Sequence, residues 1–202
     1  DRSVVGKSFA EISQERGCHV VDAFLDLAAE HGEALRWYSV MANDRRGPLQ
    51  TISAHPDVLI GFSDAGAHLR NMAHYNFPLR LLKLVRDAEL RGQPFMSMEK
   101  AVHRVTGEIA EWFRIDAGVL DVGKRADLVI VDPEKLDERL DQAHEAEMER
   151  FGGLQRLVRR NDETINAVLI NGKLAVIHGK PTSELGEQRG FGQVLRAGSW
   201  QA

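Results

Sequence analysis

An apolar run that stops at a carboxylate constrains this chain more than any other feature. Val58-Leu59-Ile60-Gly61-Phe62 ends at Ser63-Asp64 and continues Ala65-Gly66-Ala67-His68. The run is short, mostly aliphatic or β-branched, and bounded by polar residues, which predicts a buried strand. Such a strand carries Asp64 to its C-terminal end, where the catalytic groups of an α/β barrel sit. A strand-end Asp is more commonly a cap or turn former, so the rest of the chain must decide between the two roles.

The flanking segments are mostly helical. Ser8-x-x-Glu11 is a capping box that opens a helix through Arg16, stopped by Gly17. A second helix is predicted from about Val21 to His31, with Ala23, Phe24, Leu27 and Ala28 on its apolar face and Gly32 at its end. Leu35 to Met41 reads as a strand, 47–53 as a short helix, and His55-Pro56-Asp57 as a turn. Beyond the Val58–Phe62 strand comes a loop over 69–76. Phe77-Pro78 then opens a helix to Leu90, Ser97 caps one from Met98 to Val105, and Thr106 caps a further turn or two through Phe113. This order predicts an α/β fold with parallel strands.

From Gly118 the character changes. Gly118 to Lys124 reads as a tight turn between short extended pieces, and Ala126 to Val131 as a buried strand closed by Asp132-Pro133. Ile165–Ile170 and Lys173–Ile177 read as strands joined by Asn171-Gly172, a strong hairpin signal. A boundary near residue 115 is therefore expected. It separates an α/β part (1–115) from a β-rich part (116–202) with a charged helical insertion at about 134–160, interrupted by Gly152-Gly153.

Composition narrows the function classes. The formal net charge of −4 over 202 residues lacks the basic excess of a nucleic-acid binder. The lone Cys18 excludes an intrachain disulfide and a Cys-based zinc module, and it fits a reducing, cytoplasmic compartment. No apolar run reaches membrane-spanning length, no signal-peptide pattern opens the chain, and no phosphate-binding Gly-x-x-x-x-Gly-Lys-Ser/Thr occurs.

A second ordered pattern lies downstream. Thr106-Gly107-Glu108-Ile109-Ala110 is followed by Gly118-x-Leu120-x-x-Gly123-Lys124-Arg125-Ala126-Asp127-Leu128-Val129 and then by Asp132. This resembles the C-terminal part of the amidohydrolase superfamily, and within it the N-acyl-D-amino-acid deacylase group. Gly6 to Ile12, the Asp22–Leu27 helix, the His55–Asp64 stretch, the Asn171-Gly172 hairpin and the closing Gly192–Arg196 share in the likeness; 134–160 shares least. The resemblance implies the C-terminal part of a metal-dependent TIM-type (β/α)8 barrel followed by part of a small β-sandwich. It implies hydrolysis of an amide C–N bond that is not a peptide bond. It makes Asp64 the metal ligand and the catalytic acid/base and puts Ser63 in the family's Ser-Asp pair; Ser63 and His68, the latter four residues after Asp64, are the expected substrate contacts. The metal would be zinc, one or two ions, held mostly by residues outside this chain, which has no His-x-His.

The partner implied is a small N-acyl amino acid or related amide, with no nucleic acid and no membrane. Two other readings stay open: a cyclic-amide hydrolase of the dihydropyrimidinase or dihydroorotase kind, and a non-catalytic assembly module that forms a homo-oligomer through exposed strand edges. His55, at the other end of the strand, reads as structural. His74 and His103 read as loop and surface or packing residues, Cys18 as a small hydrophobe, and Asp127 as a turn former.

A zinc site needs three or four protein ligands, and one Asp is not enough. The 202 residues alone are therefore expected to be inactive toward N-acyl amino acids. Zinc-dependent release of free amine by the isolated chain contradicts that.

Overall fold

The computed structural model describes residues 2–39, 42–61, 63, 67–68, 70, 73–159 and 161–198. They divide into two compact units, Asp1–Asp44 and Arg45–Ala202.

In the first unit, α1 (Phe9–Arg16) starts at the expected capping box. The Glu11 amide donates to Ser8 Oγ (3.2 Å), and the Ser8 amide donates to Glu11 Oε2 (2.7 Å). That Ser8 amide, and then the Ser8 hydroxyl, hold the Glu11 carboxyl below its ordinary range. Gly17 ends α1 at φ 65°, a left-handed conformation that glycine adopts without penalty. α2 (Val20–His31) is capped by His19, whose Nδ1 accepts from the Val21 amide (3.3 Å). The helices meet through Ile12, Ala23 and Leu27, with Phe9, Cys18 and Leu35 packed against them. Cys18 thus serves as apolar filler.

The second unit runs α3 (Arg46–Ala54), α4 (Phe77–Leu90), α5 (Met98–Arg104), α6 (Gly107–Phe113), then β1 (Leu128–Val131), β2 (His144–Met148), β3 (Leu154–Val158), β4 (Ile165–Ile170), β5 (Lys173–Ile177) and β6 (Lys180–Pro181). β1, β4, β5 and β6 form one sheet in the order β1-β4-β5-β6, and β2 pairs β3 in a separate ribbon. Asn171 and Gly172 turn the β4–β5 hairpin, both at positive φ (50° and 78°), as a type I′ turn demands.

The core sits between α4 and the chain that follows β1. Leu79, Leu81, Leu82 and Val85 of α4 close on Leu136 and Leu140, which are 1% and 0% exposed, and on Ala101 of α5. Each buried Leu is worth about 1.5–3 kcal/mol. Short 3-10 turns at Pro133–Lys135 and Glu138–Asp141 aim the two leucines inward. The second turn is capped by Asp137, which accepts from the Arg139 amide (3.0 Å) and from its guanidinium (2.6 Å at Nη2).

Several expectations are overturned. Every named strand pair is antiparallel, and the described residues contain no part of a (β/α)8 barrel or of a parallel α/β sheet. Neither barrel strand forms among them: 35–39 and 58–61 are irregular. A strand needs a neighbour to bond its N–H and C=O groups, and here those groups have other partners. The Val58 amide bonds the His55 carbonyl (3.2 Å), and the Val58 carbonyl accepts from Arg104. At 35–39, Arg36 Nη1 donates to the Leu35 carbonyl (3.2 Å), and Trp37 packs edge-on against Phe24 of α2 (5.4 Å).

The segment 134–160 is not a helix. Its described residues hold those two 3-10 turns, a third at Glu149–Phe151, and the β2–β3 ribbon, because Gly152 and Gly153 at positive φ turn β2 back onto β3. β1 is likewise less buried than its apolar sequence predicts, with Val129 57% and Ile130 49% exposed on the sheet's edge strand. Finally, Thr106 caps α6 without a side-chain bond to its amides, because its hydroxyl donates back to the Val102 carbonyl (2.8 Å).

The Gly118–Asp132 signature acts here as a joint. A Cβ on Gly118 would stand 2.8 Å from the Thr106 carbonyl, so only glycine lets this turn lie on the start of α6. Asp127 Oδ1 accepts from the Asn171 amide (2.7 Å), and the Ala126 carbonyl accepts from the Gly172 amide (2.8 Å). The expected turn-fixing role of Asp127 is seen directly.

Two outcomes follow. Leu140→Ala should cost about 2–5 kcal/mol in urea unfolding; a surface-like loss contradicts the core as described. The Arg139 guanidinium, and then its amide, lower the Asp137 pKa from 3.8 to about 2. The folded value lies below the unfolded one. This contribution is therefore complete above about pH 4 and lost as the pH falls to about 2. It is small for so accessible a pair. Asp137→Asn should flatten the acid-side slope of stability in that window, and an unchanged slope contradicts the pairing.

Candidate functional site

The stretch expected to carry the chemistry is held at both ends. At its start, Arg104 of α5 is 1% exposed. Its Nη2 donates to the Val58 carbonyl, and its Nη1 to Glu108 Oε1 of α6 (3.2 Å). Lys100 Nζ stands 3.9 Å from the other Glu108 oxygen. A buried guanidinium costs several kcal/mol unless its charge and donors are met; here the Glu108 carboxylate meets Nη1 and the Val58 carbonyl meets Nη2, while Nε is buried without a hydrogen-bond partner among the described residues. Ile60 packs against the main core, and Gly61 lies 3.8 Å (as a hypothetical Cβ) from Ile109 of α6. Residues 58–61 thus rest on α5 and α6.

The far end is held by β3 and the residues after it. The Leu157 amide donates to the Arg70 carbonyl (3.0 Å). The Tyr75 hydroxyl donates to the Arg159 carbonyl (3.0 Å) and accepts from the Arg159 amide. Asn76, 4% exposed, donates from Nδ2 to the Leu140 carbonyl (2.8 Å) and to Asn161 Oδ1 (3.3 Å). Arg159, 7% exposed, donates to that same Leu140 carbonyl (3.4 Å) and to Asn76 Oδ1 (3.5 Å). This buried polar cluster joins the loop before α4 to the core segment and to the end of β3.

Between these anchors stand the residues expected to act. Ser63 is half-buried and His68 is exposed. Asp64, the expected metal ligand and acid/base, lies outside the described residues. The His74 backbone belongs to a 3-10 turn, His74–Asn76; its side chain is outside the description. His103 is exposed on α5, in keeping with a surface role.

Among the described residues no three His, Cys, Asp or Glu side chains are grouped so as to hold a metal ion. They do not by themselves fit a zinc centre. A cavity of about 510 Å³ opens elsewhere, over the α5–α6 junction and the Gly118 turn. Val102, His103, Thr106, Val119 and Leu120 line it, but Ser63 and His68 do not. Glu99 and Glu111 also line it, and no hydrogen bond among the described residues joins either to His103.

Arg104, Glu108, Tyr75, Asn76 and Arg159 are the residues that reading the sequence missed. Arg104 and Glu108 left a trace, an opposite-charge pair four residues apart on a helical stretch. The contacts of Tyr75 and Asn76 with 159–161 span more than eighty residues and left none.

Arg104→Met should strand the Val58 carbonyl and the Glu108 carboxylate. A loss of about 3–5 kcal/mol is expected in urea unfolding, partly recovered when Glu108→Gln is added. A loss within about 0.5 kcal/mol, as at a surface site, contradicts the anchoring role.

No protein-family model matches the chain, and no solved structure matches it. Among curated proteins it is 49% identical over 201 residues to an uncharacterized protein of Mycobacterium tuberculosis and equally to one of Mycobacterium bovis. The match takes in 99% of this chain and 33% of each relative. The chain therefore spans about a third of the length of the curated relatives it matches.

Proposed function

We propose that this chain is the C-terminal section of a metal-dependent amidohydrolase that cleaves a non-peptide amide C–N bond, most like an N-acyl-D-amino-acid deacylase. The observation that carries the reading is the ordered pair of motifs, His55–Asp64 and Thr106–Asp132. The barrel once expected around them plays no part in it. Backbone bonds to the rest of the fold at Val58 and at Arg70, on either side of Ser63 and His68 in the sequence, support the reading further.

In this reading Asp64 is the proton carrier. It takes a proton from the water that attacks the acyl carbonyl and passes it to the amide nitrogen, which leaves as a free amine. Ser63 and His68 contact the substrate. Zinc, if bound, takes its other ligands from outside this chain. The activity belongs to a protein of the relatives' length. A cytoplasmic place goes with this reading: no helix among the described residues is long and apolar enough to cross a membrane, and the single cysteine fits a reducing compartment.

A second reading, an assembly module, has its own support. β1 is an edge strand with Val129 and Ile130 exposed, and Leu120 and Val122 nearby in sequence are 81% and 99% exposed. Light scattering separates the two, since a clean monomer counts against assembly through this edge.

Asp64→Asn in the protein of full length should lower turnover of N-acetyl-D-amino acids by a factor on the order of 10²–10⁴ with the melting temperature unchanged. Retained turnover refutes the assignment.

A further inference from the structure

Asn171 is the one asparagine in the sequence that a glycine follows. That pairing carries a reaction of its own. Once the Gly172 amide gives its proton to solvent base, its nitrogen can attack Asn171 Cγ. A C–N bond forms, the bond from Cγ to the side-chain nitrogen breaks, and that nitrogen takes up a proton and leaves as ammonia. Water then opens the five-membered imide. Opening at the Cγ carbonyl leaves aspartate. Opening at the backbone carbonyl leaves isoaspartate, in which the main chain runs through Cβ and Cγ. Glycine favours the attack because it has no Cβ to crowd the approach.

The fold holds this pair off that path. Asn171 and Gly172 are exposed at the tip of the β4–β5 hairpin, so solvent base reaches them. The Gly172 amide, however, donates to the Ala126 carbonyl (2.8 Å). A peptide group is planar, so this bond fixes the orientation of the whole link between Asn171 and Gly172. The Asn171 amide donates to Asp127 Oδ1 (2.7 Å), which fixes the peptide on the other side of the Asn171 α-carbon. Asp127 is itself backed by Arg125, whose Nε stands 3.7 Å from Oδ2 and donates to the Asp116 carbonyl (3.4 Å). With both flanking peptides pinned, the Gly172 nitrogen keeps its proton and does not turn toward Cγ.

We propose that Asn171 is a latent modification site, kept unreacted by the clamp that Ala126 and Asp127 place on the two amides. Opening the clamp converts Asn171 to isoaspartate and aspartate, with water as the only co-reactant. Either product disturbs the hairpin. Isoaspartate adds a backbone carbon inside a two-residue turn that sets the register of β4 on β5. Aspartate adds a carboxylate to the residue whose amide Asp127 holds, and like charges repel. The reaction therefore marks, irreversibly, a chain whose joint between β1 and the hairpin has opened.

The test follows Asn171 in the folded chain at neutral pH, by mass spectrometry and isoaspartate detection. A synthetic peptide of residues 168–175 has the same pair and no clamp. Native Asn171 is expected to react about a hundredfold or more slower than the peptide. Asp127→Ala removes a bond to a charged group and should speed the reaction about ten- to a hundredfold. Asp127→Asn keeps an acceptor oxygen and should speed it less. Hydrogen exchange of the Gly172 amide should quicken in the same order while the β4 amides stay protected. Should Asp127→Ala unfold, the native chain still decides: in urea below the unfolding midpoint, loss of Asn171 should rise in step with Gly172 exchange. Native reaction at the peptide's rate overturns the proposal. So does an unchanged rate in folded Asp127→Ala, or a rate in urea that ignores Gly172 exchange.

Discussion

One buried cation, Arg104, decides how the centre of this chain lies. Its side chain is 1% exposed, where a charge is costly unless it is paired and hydrogen-bonded. Glu108 answers with charge and the Val58 carbonyl with a lone pair. The demand runs both ways. Arg104 needs an acceptor, and a backbone segment with no strand beside it needs a donor. The bond therefore does for Val58 what a neighbouring strand would otherwise do, and it lets an irregular segment be held against α5 and α6.

The same economy appears at the other end of the segment. A two-stranded ribbon is weak alone, and its outer edge would present unpaired amides to water. Here the edge is partly used: Leu157 bonds Arg70, and Arg159 closes on Tyr75 and Asn76. The buried amide of Asn76 bridges three chain segments at once, through Leu140, Arg159 and Asn161. The ribbon steadies the loop while the loop supplies its missing edge. Val58 is thereby bonded to α5 and Arg70 to β3, while Ile60 packs on the Leu79–Leu140 core.

Local signals in the chain proved readable, and distant ones did not. The Ser8–Glu11 box, the Ser97 cap, the Phe77–Leu90 stripe and the Asn171-Gly172 turn each depend on residues within a few positions, and each stands where their chemistry puts it. Val58–Phe62 looked like a strand because its residues suit one, but strand formation needs a partner elsewhere, and none of the described residues provides it. The 134–160 segment looked helical by composition, but Gly152-Gly153 turn β2 back onto β3. The same limit applied to the site. Ser63 and His68 were named from a local motif, while the groups that anchor them lie about forty to one hundred residues away. In the Gly118–Asp132 stretch, Gly118 lies close on Thr106 and Asp127 fixes the β4–β5 turn.

The claim at the centre of this account is that the Val58–Asn76 stretch is anchored from both sides. Native-state hydrogen exchange at the Leu157 and Arg159 amides tests it most directly. Neither amide's bond is to β2, so each is protected only if the loop stays in place. Both amides are expected to exchange as slowly as those of β4, and together. Exchange of these two at the rate of an open ribbon edge, with β4 still protected, would contradict it.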